Sequence, residues 1–310
     1  MTNADIIKRA SQIGLTVPSF NVPDLPMIEP VVRAVADTDS FAFVATARLE
    51  WYKFEAGGLE PVMRAFRDFD RPGYVRLHLD HVPVIDEDGV CVEYLEIIQQ
   101  AVEIGYDSVM VDGSRLALDD NIDATRKAVQ IAHAAGVACE AELGAVFGHE
   151  AGPPPPYEEL FESGKGFPRV DEARRFVQET GCDWLSVAVG NVHGAVSEAY
   201  RDQKKPEARL ALDHLECLRD ATGIPLVLHG GSGIQREYML EAVKRGIAKV
   251  NVGTEIRQAY EASLRKSNSV EAAREAVYDA TRSLLRDYFD LAGTRMQLMS
   301  DIPVDGDEAQ

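Results

Sequence analysis

The sequence predicts an α/β fold, a single (β/α)8 barrel with extra C-terminal helices, and three observations lead there. Short β-rich runs alternate with amphipathic stretches along nearly the whole chain, which is the pattern of a parallel sheet. The alternation repeats eight times, and eight repeats favour closure over an open doubly wound sheet. No G-x-G-x-x-G opens a helix after a strand, so the dinucleotide-binding alternative lacks its main motif.

Strands are expected at 17–22, 41–47, 73–80, 108–113, 138–146, 184–190, 225–230 and 249–254. Helical periodicity covers 26–37, 93–104, 121–135, 170–180, 210–222 and 236–245, and residues 1–14 read as a short amphipathic helix. Gly105, Gly136, Gly181, Gly223 and Gly246 each follow a helical stretch, where a left-handed glycine ends a helix. Two further helical stretches, 255–265 and 270–289, follow the eighth strand. The second exceeds what a barrel needs and is a candidate contact between subunits of a homodimer or homotetramer. Residues 1–300 are expected to form one barrel domain with its helical extension. The acidic tail 301–310 has no periodicity and is expected to be disordered. A long connection, 147–168, carries four consecutive prolines and has the length of a functional lid.

Composition sets the class of partner. The chain has 310 residues, 45% hydrophobic and 27% charged, as in soluble globular proteins. A net charge of -19 argues against a nucleic-acid surface, because phosphate backbones need a basic face. An anionic small molecule would therefore need local backbone N–H groups to overcome the unfavourable global field. No apolar stretch reaches the length of a membrane span, and the N-terminus has no signal-peptide pattern. The four cysteines, Cys91, Cys139, Cys182 and Cys217, are scattered without a CxxC pair. They read as reduced, mostly buried thiols in a cytoplasmic protein.

The polar residues of interest gather where strands end, which is where barrel enzymes place their sites. His81, His193 and His229 end the third, sixth and seventh strands. A lone histidine there is more often an ordinary hydrogen-bonded residue, but three at strand ends suit a catalytic zinc with an open coordination position. Strand alternation puts Arg76, His78 and Asp80 on one face, so His78 reads as a satisfied residue of the barrel interior. His133, His149 and His214 are assigned no role. Asp80 is placed to exchange a proton with a substrate hydroxyl, with orientation of a histidine as the other reading. Glu140 and Glu142 share a face, and two carboxylates inside a barrel repel unless paired or bound to a cation. Glu142 and Asp112 can hold a second cation or an alternative position of the zinc; a hydrogen-bond network bracing the site is the equal alternative. The loops after the seventh and eighth strands, His229-Gly-Gly-Ser-Gly and Asn251-Val-Gly-Thr, read as a phosphate site. There glycines admit backbone N–H groups and the hydroxyls of Ser232 and Thr254 add hydrogen bonds.

These residues stand in six motifs: LHLDH (77–81), SVMVDGS (108–114), EAELG (140–144), VGNVHG (189–194), LHGGSGI (228–234) and KVNVGTE (249–255), with FNV (20–22) before them. Together they resemble the class II, zinc-dependent fructose/tagatose-bisphosphate aldolases, in the family's order, from about residue 17 to 265. The resemblance implies a zinc ion held by His81, His193 and His229, one per subunit, and Asp80 as the acid/base at the C4 hydroxyl. It implies that Asn21, Gly194, Gly230, Ser232, Asn251 and Thr254 hold the substrate and its phosphate half, and that Asp112 and Glu142 match a secondary metal site. The reaction implied is reversible cleavage of a ketose 1-phosphate or ketose bisphosphate to dihydroxyacetone phosphate and an aldehyde, through a zinc-stabilised enediolate. A carboxylate of the lid, Glu158, Glu159 or Glu162, or Tyr157, is then the expected proton donor.

Departures from the family pattern are concentrated around the pocket. Gly194 is followed by Ala195, Val196 and Ser197, where the family commonly has an aromatic residue and a lysine; Lys204 and Lys205 come only later. Arg115 stands where a histidine often follows DGS, residues 82–90 are inserted after HLDH, and Thr46-Ala47-Arg48-Leu49-Glu50-Trp51 replaces a small-residue turn. We therefore expect a substrate other than the glycolytic bisphosphate. A zinc hydrolase on the same scaffold and a non-catalytic sugar-phosphate sensor are the rival readings.

Overall fold

A computed structural model describes residues 1–146, 157–193 and 208–300. Gly194, His149, the proline run, Lys204, Lys205 and the tail 301–310 lie outside the described residues. Eight parallel strands, β1 (Val17–Asn21), β2 (Ala42–Ala47), β3 (Val75–Pro83), β4 (Ser108–Asp112), β5 (Ala138–Leu143), β6 (Trp184–Val187), β7 (Leu226–Leu228) and β8 (Ile247–Val252), close into a barrel in chain order. β8 returns to β1 with Ser19 opposite Asn251, so no edge is left open.

Outward-facing Val, Leu and Ile of the strands pack under the surrounding helices in one continuous apolar cluster. A second cluster closes the N-terminal end of the barrel: Phe41, Phe43, Trp184 and Val227 meet Ile6, Ile7 and Ala10 of the helix Asn3–Ile13. That helix starts at a capping box between Thr2 and Asp5 and stops at Gly14 in the left-handed region. Toward the other end the barrel interior turns polar. Ser19, Asn21, His78, Asp80, Ser108, Glu140, Glu142, Ser186, Lys249 and Asn251 are all buried there. Many stand two residues apart on one strand, which is the pleat's inward face.

The expected helices are present with small shifts. Two more, Arg48–Lys53 and Leu59–Phe69, fill the connection between β2 and β3, where no helix was read. The stretch expected at 270–289 is a helix only to Ser283 and then a π turn, Leu284–Tyr288. Within the protomer that helix lies against Ile28–Asp37, tied by Arg274–Glu29 at 2.7 Å and Arg33–Glu275 at 2.6 Å. The cysteines correct the sequence reading in part: Cys139 and Cys182 are buried, but Cys91 and Cys217 are exposed, since each faces away from the apolar clusters. No helix among the described residues is long and apolar enough to cross a membrane.

Gly113, just after β4, shows how closely the mouth is packed. A Cβ there would sit 2.1 Å from Asn121 Oδ1. Asn121 donates to the Glu142 carbonyl (3.1 Å) and accepts from Thr125 (3.0 Å), so it has no room to yield. Gly113→Ala should therefore cost about 1–3 kcal/mol by stranding these buried groups, as read by urea unfolding.

Candidate metal centre

Three imidazoles meet at the C-terminal mouth. Ring centroids of His81 and His229 are 4.3 Å apart, of His81 and His193 5.1 Å, and of His193 and His229 6.0 Å. Their donor nitrogens all lie within 4.8 Å of one another. His81 arrives by an irregular route. Asp80 and His81 are consecutive, and strict alternation would send them to opposite faces. Instead the β3–β4 register shifts between Leu79 and Val82, and His81 takes a positive φ of 31°. The bulge turns both side chains into the mouth, at the cost of a strained backbone.

Two of the rings, His81 and His229, are each held by the nitrogen that faces away from the cluster. His81 Nδ1 lies 3.1 Å from Asp112 Oδ2, which leaves Nε2 for the centre. His229 Nε2 lies 2.7 Å from Glu140 Oε1, which leaves Nδ1. The two inward nitrogens, His81 Nε2 and His229 Nδ1, are 2.5 Å apart. Nitrogens around a tetrahedral zinc stand about 3.3 Å apart, so a small opening of this pair would admit one. The carboxylate–histidine pairing on the far side is the arrangement that fixes ligand tautomers.

Charge favours a cation as well. Asp80, Asp112, Glu140 and Glu142 are four carboxylates around these rings, with Lys249 the one lysine among them in the described residues. Burial alone would lower the His81 pKa, but Asp80, Asp112 and Glu142 outweigh it and push the imidazole up to about 10. A divalent ion supplies the positive charge that the protein otherwise takes up as a proton. Donor set, ring orientation and charge therefore all fit zinc.

Below the mouth lies a polar relay that the sequence reading did not assign. Lys249 Nζ is 2.8 Å from Glu140 Oε2 and donates to Asn251 Oδ1 at 2.6 Å. Trp184 Nε1 donates to Glu140 Oε2 at 2.5 Å. Asn251 Nδ2 donates to Asp80 Oδ1 at 2.8 Å, and Asn21 Nδ2 to Asp80 Oδ2 at 2.7 Å. Both asparagines, expected at the substrate, thus direct their amides to Asp80. Burial would raise the Asp80 pKa, but the positive charges of His81, His229 and Lys249 hold it below the usual carboxylate range. His78 is fully buried, with Nδ1 2.9 Å from Ser108 Oγ, and burial beside Lys249 pushes its pKa down to about 3. Its Nε2 has no hydrogen-bond partner among the described residues, so the interior histidine is only half satisfied there. Glu142 has its pKa raised by burial and by Asp112. Its Oε2 accepts from Ser186 at 3.4 Å and lies 3.9 Å from His81 Nδ1.

Gly230, Ser232, Gly253 and Thr254 line the same cavity as Asn21, Asp80 and the three histidines, so the expected phosphate loops face the centre. Gly230 cannot be replaced there: its φ is 64°, and a Cβ would meet the Val192 carbonyl at 2.1 Å. Glu50 and Arg257, not singled out from sequence, complete the wall. Tyr157 donates to backbone carbonyls of β6's exit and of Arg209, and Glu158 pairs with Arg209; neither lines this cavity.

Two variants test this electrostatic picture. Lys249→Met leaves a buried Glu140 charge without its cation and should cost about 3–5 kcal/mol in urea unfolding. Glu140→Gln should weaken zinc roughly 10–100-fold against a competing chelator. Glu50 is buried, and burial pushes its pKa from the ordinary 4.5 up to about 8, although Ala47 N donates to it at 2.7 Å. The folded protein holds this proton between those values and the unfolded chain does not, so its contribution to stability falls as pH rises from about 4.5 through 8. In the metal-free protein, Glu50→Gln should be stabilised over wild type by about 3 kcal/mol more at pH 8 than at pH 5, measured by thermal unfolding.

Comparison with known proteins agrees with the geometry. The family model described as fructose-bisphosphate aldolase class-II matches residues 1–297. A fructose-bisphosphate aldolase of Streptococcus pyogenes serotype M1 is 34% identical over 281 residues, covering 89% of this chain and 86% of its own. One of Streptococcus pneumoniae serotype 4 is 32% identical over 279 residues, covering 88% and 85%. The crystal structure of the YdjI aldolase from Escherichia coli K12 superposes with a TM-score of 0.72 at 25% identity, covering 95% of this chain and 99% of that one. The chain belongs to the class II fructose-bisphosphate aldolase family, and its reaction is metal-dependent aldol cleavage.

Proposed function

We propose that the enzyme cleaves a ketose 1-phosphate or ketose bisphosphate to dihydroxyacetone phosphate and an aldehyde, and runs the reverse condensation. The observation that carries this reading is the convergence of His81, His193 and His229 beside an ionised, doubly braced Asp80. The three histidines would hold one zinc per subunit. When bound, the ion supplies Lewis-acid charge against the negative charge that develops on the C2–C3 half of the sugar.

Asp80 takes the proton of the C4 hydroxyl as the C3–C4 bond breaks, and returns it in the condensation. Asn21 and Asn251 aim its two oxygens and block their rotation. Gly230, Ser232 and Thr254, with Gly194, hold the phosphate through backbone N–H groups and hydroxyls. Asp112 and Glu142 brace His81; because their carboxylate oxygens and a His81 nitrogen also lie within 4.8 Å of one another, a second cation there is the second reading. The proposal places the enzyme in the cytoplasm as a homodimer or homotetramer of one-domain subunits, where phosphorylated sugars and reduced thiols coexist.

The test is release of dihydroxyacetone phosphate from a panel of ketose 1-phosphates and bisphosphates by zinc-loaded protein. Chelation should abolish release and zinc should restore it. Asp80→Asn should lower kcat roughly 10²–10⁴-fold while zinc content, measured by elemental analysis, stays at that of wild type. Loss of zinc from Asp80→Asn, or full activity after chelation, would refute these assignments.

A further inference from the structure

Three of the four places where the chain departs from the family pattern line one cavity. Leu49 comes from the helix Arg48–Lys53 after β2, Pro83, Ile85 and Glu87 from the inserted 82–90 segment, and Arg115 from the turn after β4. Ala47, Leu49 and His81 also belong to the wall of the mouth cavity, so the two spaces meet at His81. The phosphate loops Gly230–Ser232 and Thr254 border only the mouth cavity.

The inserted segment is folded onto the barrel. Val84 N donates to the Asp112 carbonyl at 2.9 Å, Ile85 bridges to Cys91, and Asp86 accepts from Asp88 N and Val90 N. Arg48–Asp86 at 3.2 Å and Lys53–Glu87 at 3.2 Å fasten it to the helix after β2. The acids of the cavity are thereby occupied: Glu87 faces Lys53, and Asp112 accepts from Ser114 N and faces His81. Arg115 is exposed and has no hydrogen bond or ion pair among the described residues. The cavity therefore presents apolar walls, Leu49, Pro83 and Ile85, and one uncommitted guanidinium at its rim.

Resting on the aldolase reading, we infer that this cavity is the subsite for the aldehyde half, and that it selects an aldehyde carrying a terminal anionic group held by Arg115. The phosphate of the ketone half and this second anion would lie on opposite flanks of His81. Both a carboxylate and a phosphate match a guanidinium in the bidentate manner.

The experiment is the condensation direction, with zinc-loaded full-length enzyme and dihydroxyacetone phosphate. Two charged aldehydes, glyceraldehyde 3-phosphate and succinic semialdehyde, are compared by kcat/KM with two neutral ones, glyceraldehyde and butyraldehyde. Wild type should prefer at least one charged member over its neutral counterpart by about tenfold or more, and which pair shows it tells phosphate from carboxylate. Arg115→Ala should erase most of that preference, and Arg115→Glu should reverse it. Equal use of charged and neutral aldehydes by wild type, or a preference that survives Arg115→Glu, would overturn the subsite and leave the aldolase reading standing. Failure of every aldehyde to condense would overturn the aldolase reading, and the subsite with it.

Discussion

The ion pair between Lys249 and Glu140, sealed inside the barrel, is the constraint on which the mouth depends. A buried pair of this kind is costly to assemble, and removing one partner is costlier than never having had either. Glu140 divides its oxygens, one toward Lys249 and Trp184, the other toward His229. Lys249 passes a hydrogen bond to Asn251, which passes one to Asp80. A metal-facing imidazole and a proton-exchanging carboxylate are thus oriented by the same two buried charges. Their relative geometry is set one layer below the chemistry, by strands rather than loops.

The bulge in β3 complements this arrangement from the other side. It spends backbone strain at His81 to place two consecutive side chains in one site. Asp112 secures the result by holding His81 Nδ1. Strain of this kind persists only where the surroundings over-determine it, and here the strand pairing on both sides of β3 does so.

Much of this was legible in the sequence. Eight strands and their order follow from alternation and from glycines such as Gly105, Gly181 and Gly223, which end helices in the left-handed conformation. The three histidines and Asp80 were found because each closes a β-rich run. What escaped reading had physical reasons. A β-bulge carries no composition signal, so the shared orientation of Asp80 and His81 could not be deduced from a period of two. The expected eighth strand, 249–254, opens on Lys249, yet β8 begins at Ile247 and runs with Lys249 and Asn251 on its inward face. The same alternation that paired Glu140 with Glu142 would have found it. Glu50 and Arg257 sit on helices beyond the strand ends, where periodicity says which face is buried but not that it borders a cavity. The helices between β2 and β3 were missed because that connection departs from the expected short turn.

The folded 82–90 insertion bears on how such enzymes diversify. Its first residues, Val82 and Pro83, finish β3 directly after His81, and from Val84 onward it is anchored by its own turn and by two ion pairs to a neighbouring helix. A segment fastened in this way can be lengthened, shortened or exchanged between relatives without disturbing the charges buried beneath it. The barrel therefore separates heritable chemistry from adjustable taste, and a transplant of this segment with its helix is a compact unit for redirecting the aldehyde that the enzyme accepts.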